Sequence, residues 1–205
     1  LRAPALPGRD AFDASTPCLF RRAGGDGDGA LWANVRRNNT VLDAACKRYV
    51  MREEREVTVN QWARVESDGS VKLAGSMAET PVTEDTRCFG GRQDIRVFAH
   101  GDELLYTATV CTRADPKRLC IEYGKYDMEA HTLTGTVIAS PQDAECEKNW
   151  CLFEHEGRVQ CIYGWAPVVV GEIKGDRFAE TARWDTPADL RVARGSTHGA
   201  WYEDE

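Results

Sequence analysis

Two acidic residues, Asp94 and Glu147, stand in short polar phrases, QDIR over 93–96 and CEKNWC over 146–151. Each phrase lies just ahead of an aromatic-led run, headed by Phe98 in one case and Phe153 in the other, and a third such run begins at Phe20. Set against one another on the leading Phe, the three runs place Thr16, Asp94 and Asn149 at one position, four residues upstream. Arg96, Lys148 and Trp150 share the polar phrases, while Asn34-Val35-Arg36 and Tyr163-Gly164-Trp165 follow on the next strands. Carboxylates, cations, amides and aromatic rings together are the mixture a sugar site uses. Carboxylates do acid–base work, amides meet hydroxyls, and rings cover the apolar face of a pyranose.

These residues converge only if the chain brings the three phrases together, and its repeats predict that it does. FRRAGGDGDGALWANV, FAHGDELLYTAT and FEHEGRVQCIYGW each read as strand, Gly/Asp turn and strand. Each is followed by a second such pair: VTVNQWARVESDGSVKLA, IEYGKYDMEAHTLTGTVIA and VVVGEIKGDRFAETA. Two hairpins repeated down a chain predict four-stranded blades, hence an all-β protein of the β-propeller class. A β-sandwich is the alternative, although it does not predict paired hairpins. The expected layout is a lead-in over 1–15, blades over about 16–78, 92–140 and 147–182, and a further blade begun at 194–205. Closed propellers have ~4–8 blades, so the ring is expected to be completed by a further segment or another chain. The stretch 38–54 inside the first blade is read as a loop or short helix.

Composition narrows the class. Among 205 residues, 42% are hydrophobic and six are Trp, enough for a packed core. A net charge of −7, with basic residues scattered among acidic ones, argues against a nucleic-acid partner. The longest uncharged stretch, Val159 to Gly171, is shorter than the ~18 residues of a membrane span. Eight cysteines predict at least two disulfides and a secretory, extracellular or virion setting. Asn38-Asn39-Thr40 is a glycosylation sequon that such a route could use. The chain opens at Leu1 without a basic-then-apolar leader, and its natural start is expected upstream. No Cys-x-x-Cys occurs and the histidines are isolated, so neither a metal nor another cofactor is predicted. The Gly25–Gly29 run has Arg37 where a calcium loop needs Glu, and reads as a hairpin tip.

Gln93-Asp94-Ile95-Arg96-Val97, running through a hairpin into Leu105-Tyr106-Thr107-Ala108, resembles the Glu-Asp-Pro-Arg strand of five-bladed propeller glycosidases and mannoside phosphorylases, glycoside hydrolase families 43 and 130. Glu147-Lys148-Asn149-Trp150 resembles their next-blade element, Asn34-Val35-Arg36 their first-blade arginine strand, and Arg194-Gly195-Ser196 the start of their last inner strand. Ile95 departs from the usual proline. The resemblance implies hydrolysis, phosphorolysis or glycosyl transfer on an oligosaccharide or glycan. Asp94 would be the proton donor, and Arg36, Lys148 and Arg194 would hold inorganic phosphate. Glu147 is then the second carboxylate if water is the nucleophile, with ~6.5–9.5 Å between carboxyls for inversion and ~5 Å for retention. With phosphate or an activated sugar, the cations matter more and no second carboxylate is required.

Each residue also has an ordinary structural use. Asp94 can cap a strand or pair with Arg96, and Glu147 can pair with Lys148. Trp150, Tyr163 and Trp165 can pack a core, since aromatic rings bury large areas. Strand alternation puts Asn34 and Arg36 on one face and turns Arg37 to solvent. If these uses prevail, the protein is a non-catalytic glycan-binding or structural propeller.

Overall fold

The computed structural model describes residues 12–22, 29–43, 45, 48–51, 55–85, 87–195 and 197–198. Among these described residues fourteen strands run in chain order. The first group is β1 (Asp13–Arg21), β2 (Leu31–Asn38), β3 (Thr40–Asp43), β4 (Arg48–Met51), β5 (Thr58–Val65) and β6 (Val71–Ser76). Next come β7 (Gln93–His100), β8 (Glu103–Ala114), β9 (Lys117–Asp127) and β10 (Thr132–Ile138). The last are β11 (Cys151–His155), β12 (Arg158–Trp165), β13 (Val168–Lys174) and β14 (Arg177–Trp184). They form three four-stranded antiparallel sheets, β1-β2-β5-β6, β7-β8-β9-β10 and β11-β12-β13-β14, plus the two-stranded β3-β4. The all-β expectation holds, with a single 3-10 turn, Ala188–Leu190, as the helical element among the described residues. Those residues do not close a ring or barrel.

The turns lie where the sequence places them. Gly101, at the β7–β8 turn, has φ 57°, and Gly157, at the β11–β12 turn, has φ 72°. A Cβ at either would meet nothing within 4 Å, so backbone conformation rather than space calls for glycine there. At the β5–β6 turn Asp68 Oδ1 accepts the Ser70 N–H at 2.8 Å.

The insert between β2 and β5 is a β-hairpin, β3-β4, rather than the loop or short helix expected over 38–54. Thr40, Val41 and Val50 suit extended backbone, and Asp43 Oδ1 accepts the Ala45 N–H at 2.8 Å to start the turn. β1 begins at Asp13 and so takes in the end of the expected lead-in. The stub over 194–205 and the Gly25–Gly29 tip fall largely outside the described residues.

Both faces of the middle sheet are covered. Val97, Leu104, Tyr106 and Tyr126 pack with Phe20 of the first sheet and with Met77 just after it. Ile121 and Ile138 pack with Trp150, Leu152 and Cys161 toward the third, and Phe98 and Leu105 join them. Alternation along β7 and β8 produces this division, since neighbouring side chains point to opposite faces. At one edge β7 lies against both β1 and β11. At the other, single bridges join Ala78 to Thr132 and Ala139 to Arg177.

The seven cysteines among the described residues are free thiols, so the expected disulfides are not formed in this structure. Asn38, the acceptor position of the sequon, is buried in the fold. Arg37 is buried too, at 3% exposure, and its Nε donates to Gln61 Oε1 at 2.5 Å rather than facing solvent. Both faces of β2 are covered there, so alternation alone does not expose Arg37.

Candidate functional site

The three positions aligned in the sequence share one backbone feature: Thr16 has φ 43°, Asp94 φ 52° and Asn149 φ 65°. Side-chain-bearing residues rarely adopt this left-handed region, and a β-branched Thr least of all. In β1 and β7 the strand pairing shifts register across this point, between Ser15 and Cys18 and between Gln93 and Arg96. Asn149 sits just ahead of β11. Each kink interrupts the pairing and turns a side chain out of the sheet. All three residues line one cavity of about 590 Å³, within the size range of small-ligand sites.

Arginines supply much of its charge. Arg36 Nη1 donates to Asp94 Oδ1 at 2.5 Å. Arg96, 7% exposed, donates through Nη2 to Asn149 Oδ1 at 2.9 Å and through Nη1 to Cys151 Sγ at 3.2 Å. Arg194 lines the same cavity and is exposed. Beside it Gly195 is required by space, since a Cβ there would lie 2.4 Å from both Asn149 O and Cys151 Sγ. Two cavity groups are buried without a hydrogen-bond partner: Ser15 Oγ and Arg36 Nε. Ser15 and Arg36 are register partners across β1 and β2, so both unused groups sit side by side on one wall.

Half of the predicted site is here: Asp94, Arg36, Arg96, Asn149 and Arg194. The other half is elsewhere. Glu147 is 5% exposed and accepts hydrogen bonds from Ser140 Oγ at 2.5 Å, Trp150 Nε1 at 3.2 Å and Tyr163 Oη at 3.3 Å. It ties the approach to β11 into the packing of the second and third sheets and is not on the cavity wall. Trp150 meets Tyr163 edge-to-face, with ring centroids 5.2 Å apart, and packs on Phe178 as well. Burial, and then the Glu147 carboxylate, push the Tyr163 hydroxyl up to about 12. Asn34 is fully buried, donating to Asn60 Oδ1 at 3.1 Å and accepting from Tyr126 Oη at 3.0 Å. Lys148 is exposed and does not line the cavity.

Sequence reasoning missed Asp13, Ser15, Asn38 and Thr40, which complete the polar wall. With the Asn38 amide turned to suit its neighbours, its oxygen accepts from Arg36 Nη2 at 2.7 Å. Ser15 stands one residue from Thr16, and that adjacency was the available signal. The buried network behind β7 was also missed. Arg92 is bracketed by Glu122, whose Oε1 takes Nη2 at 2.9 Å, and by Glu79 at 3.4 Å. Tyr106 Oη donates to Glu122 Oε2 at 2.8 Å, and Asn60 Nδ2 donates to Glu79 Oε1 at 2.8 Å. This network anchors the backbone two residues before Asp94.

Among the described residues no group of three or more His, Cys, Asp or Glu is placed to hold a metal ion. Comparison with protein-family models, with curated proteins and with solved structures finds no match.

Proposed function

We propose that the three sheets are blades of a β-propeller and that the cavity binds a glycan, with Asp94 acting as general acid on a glycosidic bond. The observation that carries this reading is the convergence of Thr16, Asp94 and Asn149, each left-handed, on one polar cavity. Such convergence at the starts of inner strands is how a propeller builds its central site. The further blades, and any second chain that completes the ring, belong to the same proposal, as does a secretory, extracellular or virion location.

Phosphorolysis is the favoured branch. Glu147, the candidate partner for water, is packed away from the cavity. The cavity wall instead carries Arg36, Arg96 and Arg194, and within that wall Arg36 Nε and Ser15 Oγ are buried donors that lack an acceptor. Hydrogen phosphate held there draws Arg36 off Asp94, and the released carboxyl takes up a proton. That proton passes to the leaving glycosidic oxygen as a phosphate oxygen bonds to the anomeric carbon. The proton carried by hydrogen phosphate then restores Asp94, and the products are a glycosyl phosphate and the shortened glycan. The Arg36–Asp94 ion pair favours a second reading, a glycan-binding or structural propeller in which Asp94 orients Arg36 and transfers no proton.

The test is an oligosaccharide panel with and without inorganic phosphate, read by mass. Expected are glycosyl phosphates that require phosphate and fall ~10²–10⁴-fold in Asp94→Asn, the span of a positioned general acid. Binding without turnover, unchanged in Asp94→Asn, selects the non-catalytic propeller. Turnover that ignores phosphate and survives Asp94→Asn removes the reading.

A further inference from the structure

Between β6 and β7 the chain crosses over to the far end of β8, and there two thiols meet. Cys88 of this connector and Cys111 of β8 are 1% and 3% exposed, and their sulfurs lie 2.6 Å apart. Backbone contacts hold the connector in place independently of the sulfurs. Asp85 Oδ2 accepts the Ala114 N–H at 3.2 Å, and the Cys88 N–H donates to Asp85 O at 3.0 Å. Past Cys88, the Gly90 N–H donates to Glu56 O at 2.9 Å, and Gly90 O accepts the Thr58 N–H at 2.8 Å. The other described cysteines are placed differently. Cys18 Sγ accepts the Val97 N–H, Cys151 Sγ accepts from Arg96, Cys161 Sγ donates to Ile162 O, Cys120 Sγ meets Thr112 Oγ1, and Cys146 is exposed.

We propose that Cys88 and Cys111 form a disulfide that fastens the connector to β8 when the chain folds in an oxidising compartment. The bond forms by exchange with a low-molecular-weight disulfide such as oxidised glutathione. One cysteine thiolate attacks a glutathione sulfur and expels one glutathione thiolate. The second cysteine attacks the protein sulfur of the mixed disulfide and expels the other. Two protein thiols are oxidised, one glutathione disulfide is reduced to two thiols, and the protons end on those thiols. In the folded protein both sulfurs are covered, and burial first, then the neighbouring Cys111 and Asp85, push the Cys88 thiol above its ordinary value. Exchange therefore belongs to the folding chain, before the sulfurs are covered, and the finished bond is shielded from reductants. The connector runs directly into Arg92 and Asp94, so the bond also steadies the approach to the cavity.

The experiment refolds the reduced full chain in a reduced/oxidised glutathione buffer, blocks free thiols and maps peptides without reduction. Expected is one cross-linked pair holding Cys88 and Cys111, with a mass about 2 Da below the two reduced peptides. Its reduction should lower the urea midpoint, and a Cys88→Ser, Cys111→Ser double variant should lack that reduction-dependent shift. Blocked thiols at both positions after oxidative refolding would overturn the proposal, as would a cross-link from either to another cysteine. The peptide map of the unmutated chain decides between these outcomes by itself, even where the double variant fails to fold.

Discussion

Thr16, Asp94 and Asn149 hold a backbone conformation that costs a side-chain-bearing residue roughly 1–2 kcal/mol. At Thr16 that strain should be separable from ligand binding. Thr16→Gly should relieve it at the expense of glycine's greater chain entropy, with a net gain of about 0.5–1 kcal/mol in urea unfolding. A loss of stability would show that the Thr16 side chain stabilises its surroundings more than its backbone strains them. Glu79 gives a second residue-scale prediction. Burial raises its carboxyl above the usual 4.5, against the lowering effect of Asn60 and Arg92. A carboxyl raised on folding contributes its full stability below 4.5 and loses it as pH rises through the folded value. As pH rises above 4.5, urea midpoints should therefore shift in favour of Glu79→Gln over the parent until the folded carboxyl has ionised. A parallel pair of curves would contradict this.

At the scale of elements, Glu147 and Trp150 separate packing from chemistry. They lie within three residues of Asn149, yet they stitch the approach to β11 against β12 and the middle sheet. Glu147→Gln puts an amide donor among three donors, and a buried group so mismatched costs ~1–3 kcal/mol. Turnover per folded molecule should be unchanged. A selective loss of turnover at unaltered stability would return Glu147 to the reaction. Trp150→Ala removes a fully buried side chain and should cost ~3–5 kcal/mol by urea unfolding. The β3-β4 hairpin works in the other direction. It brings Thr40 and Val41 to the cavity, so an apparent insert supplies part of the wall.

Over the whole molecule the charge is −7, while the cavity gathers Arg36, Arg96 and Arg194 around Asp13 and Asp94. Three cations against two carboxylates make a locally positive site in an acidic protein. The Arg36 side chain is 12% exposed, so its Coulombic hold on an anion is only partly screened. Phosphate affinity by calorimetry should fall with added chloride, and Arg36→Ala should abolish most of that salt dependence. Phosphate binding indifferent to both would place the anion elsewhere.

Strands, turns and the equivalence of Thr16, Asp94 and Asn149 were legible in the sequence because they rest on local rules. Side chains alternate along a strand, glycine and aspartate mark tight turns, and a repeated phrase repeats its backbone. Local rules placed Arg36 and Arg96 within their own strands, but the meeting of Arg36, Arg96 and Arg194 needed the sheets to pack. Such rules could not say which face of a strand meets solvent, a neighbouring sheet or a cavity. Arg37 was expected outside and is buried, and Glu147 was expected in the site and packs between sheets. Asp13, Ser15 and Asn38 entered the cavity through the register shift in β1 and its pairing with β2. Those outcomes depend on how three separately formed sheets lie on one another. That packing is settled by contacts between residues as far apart in the chain as Asn34 and Tyr126, and only the tertiary structure decides it.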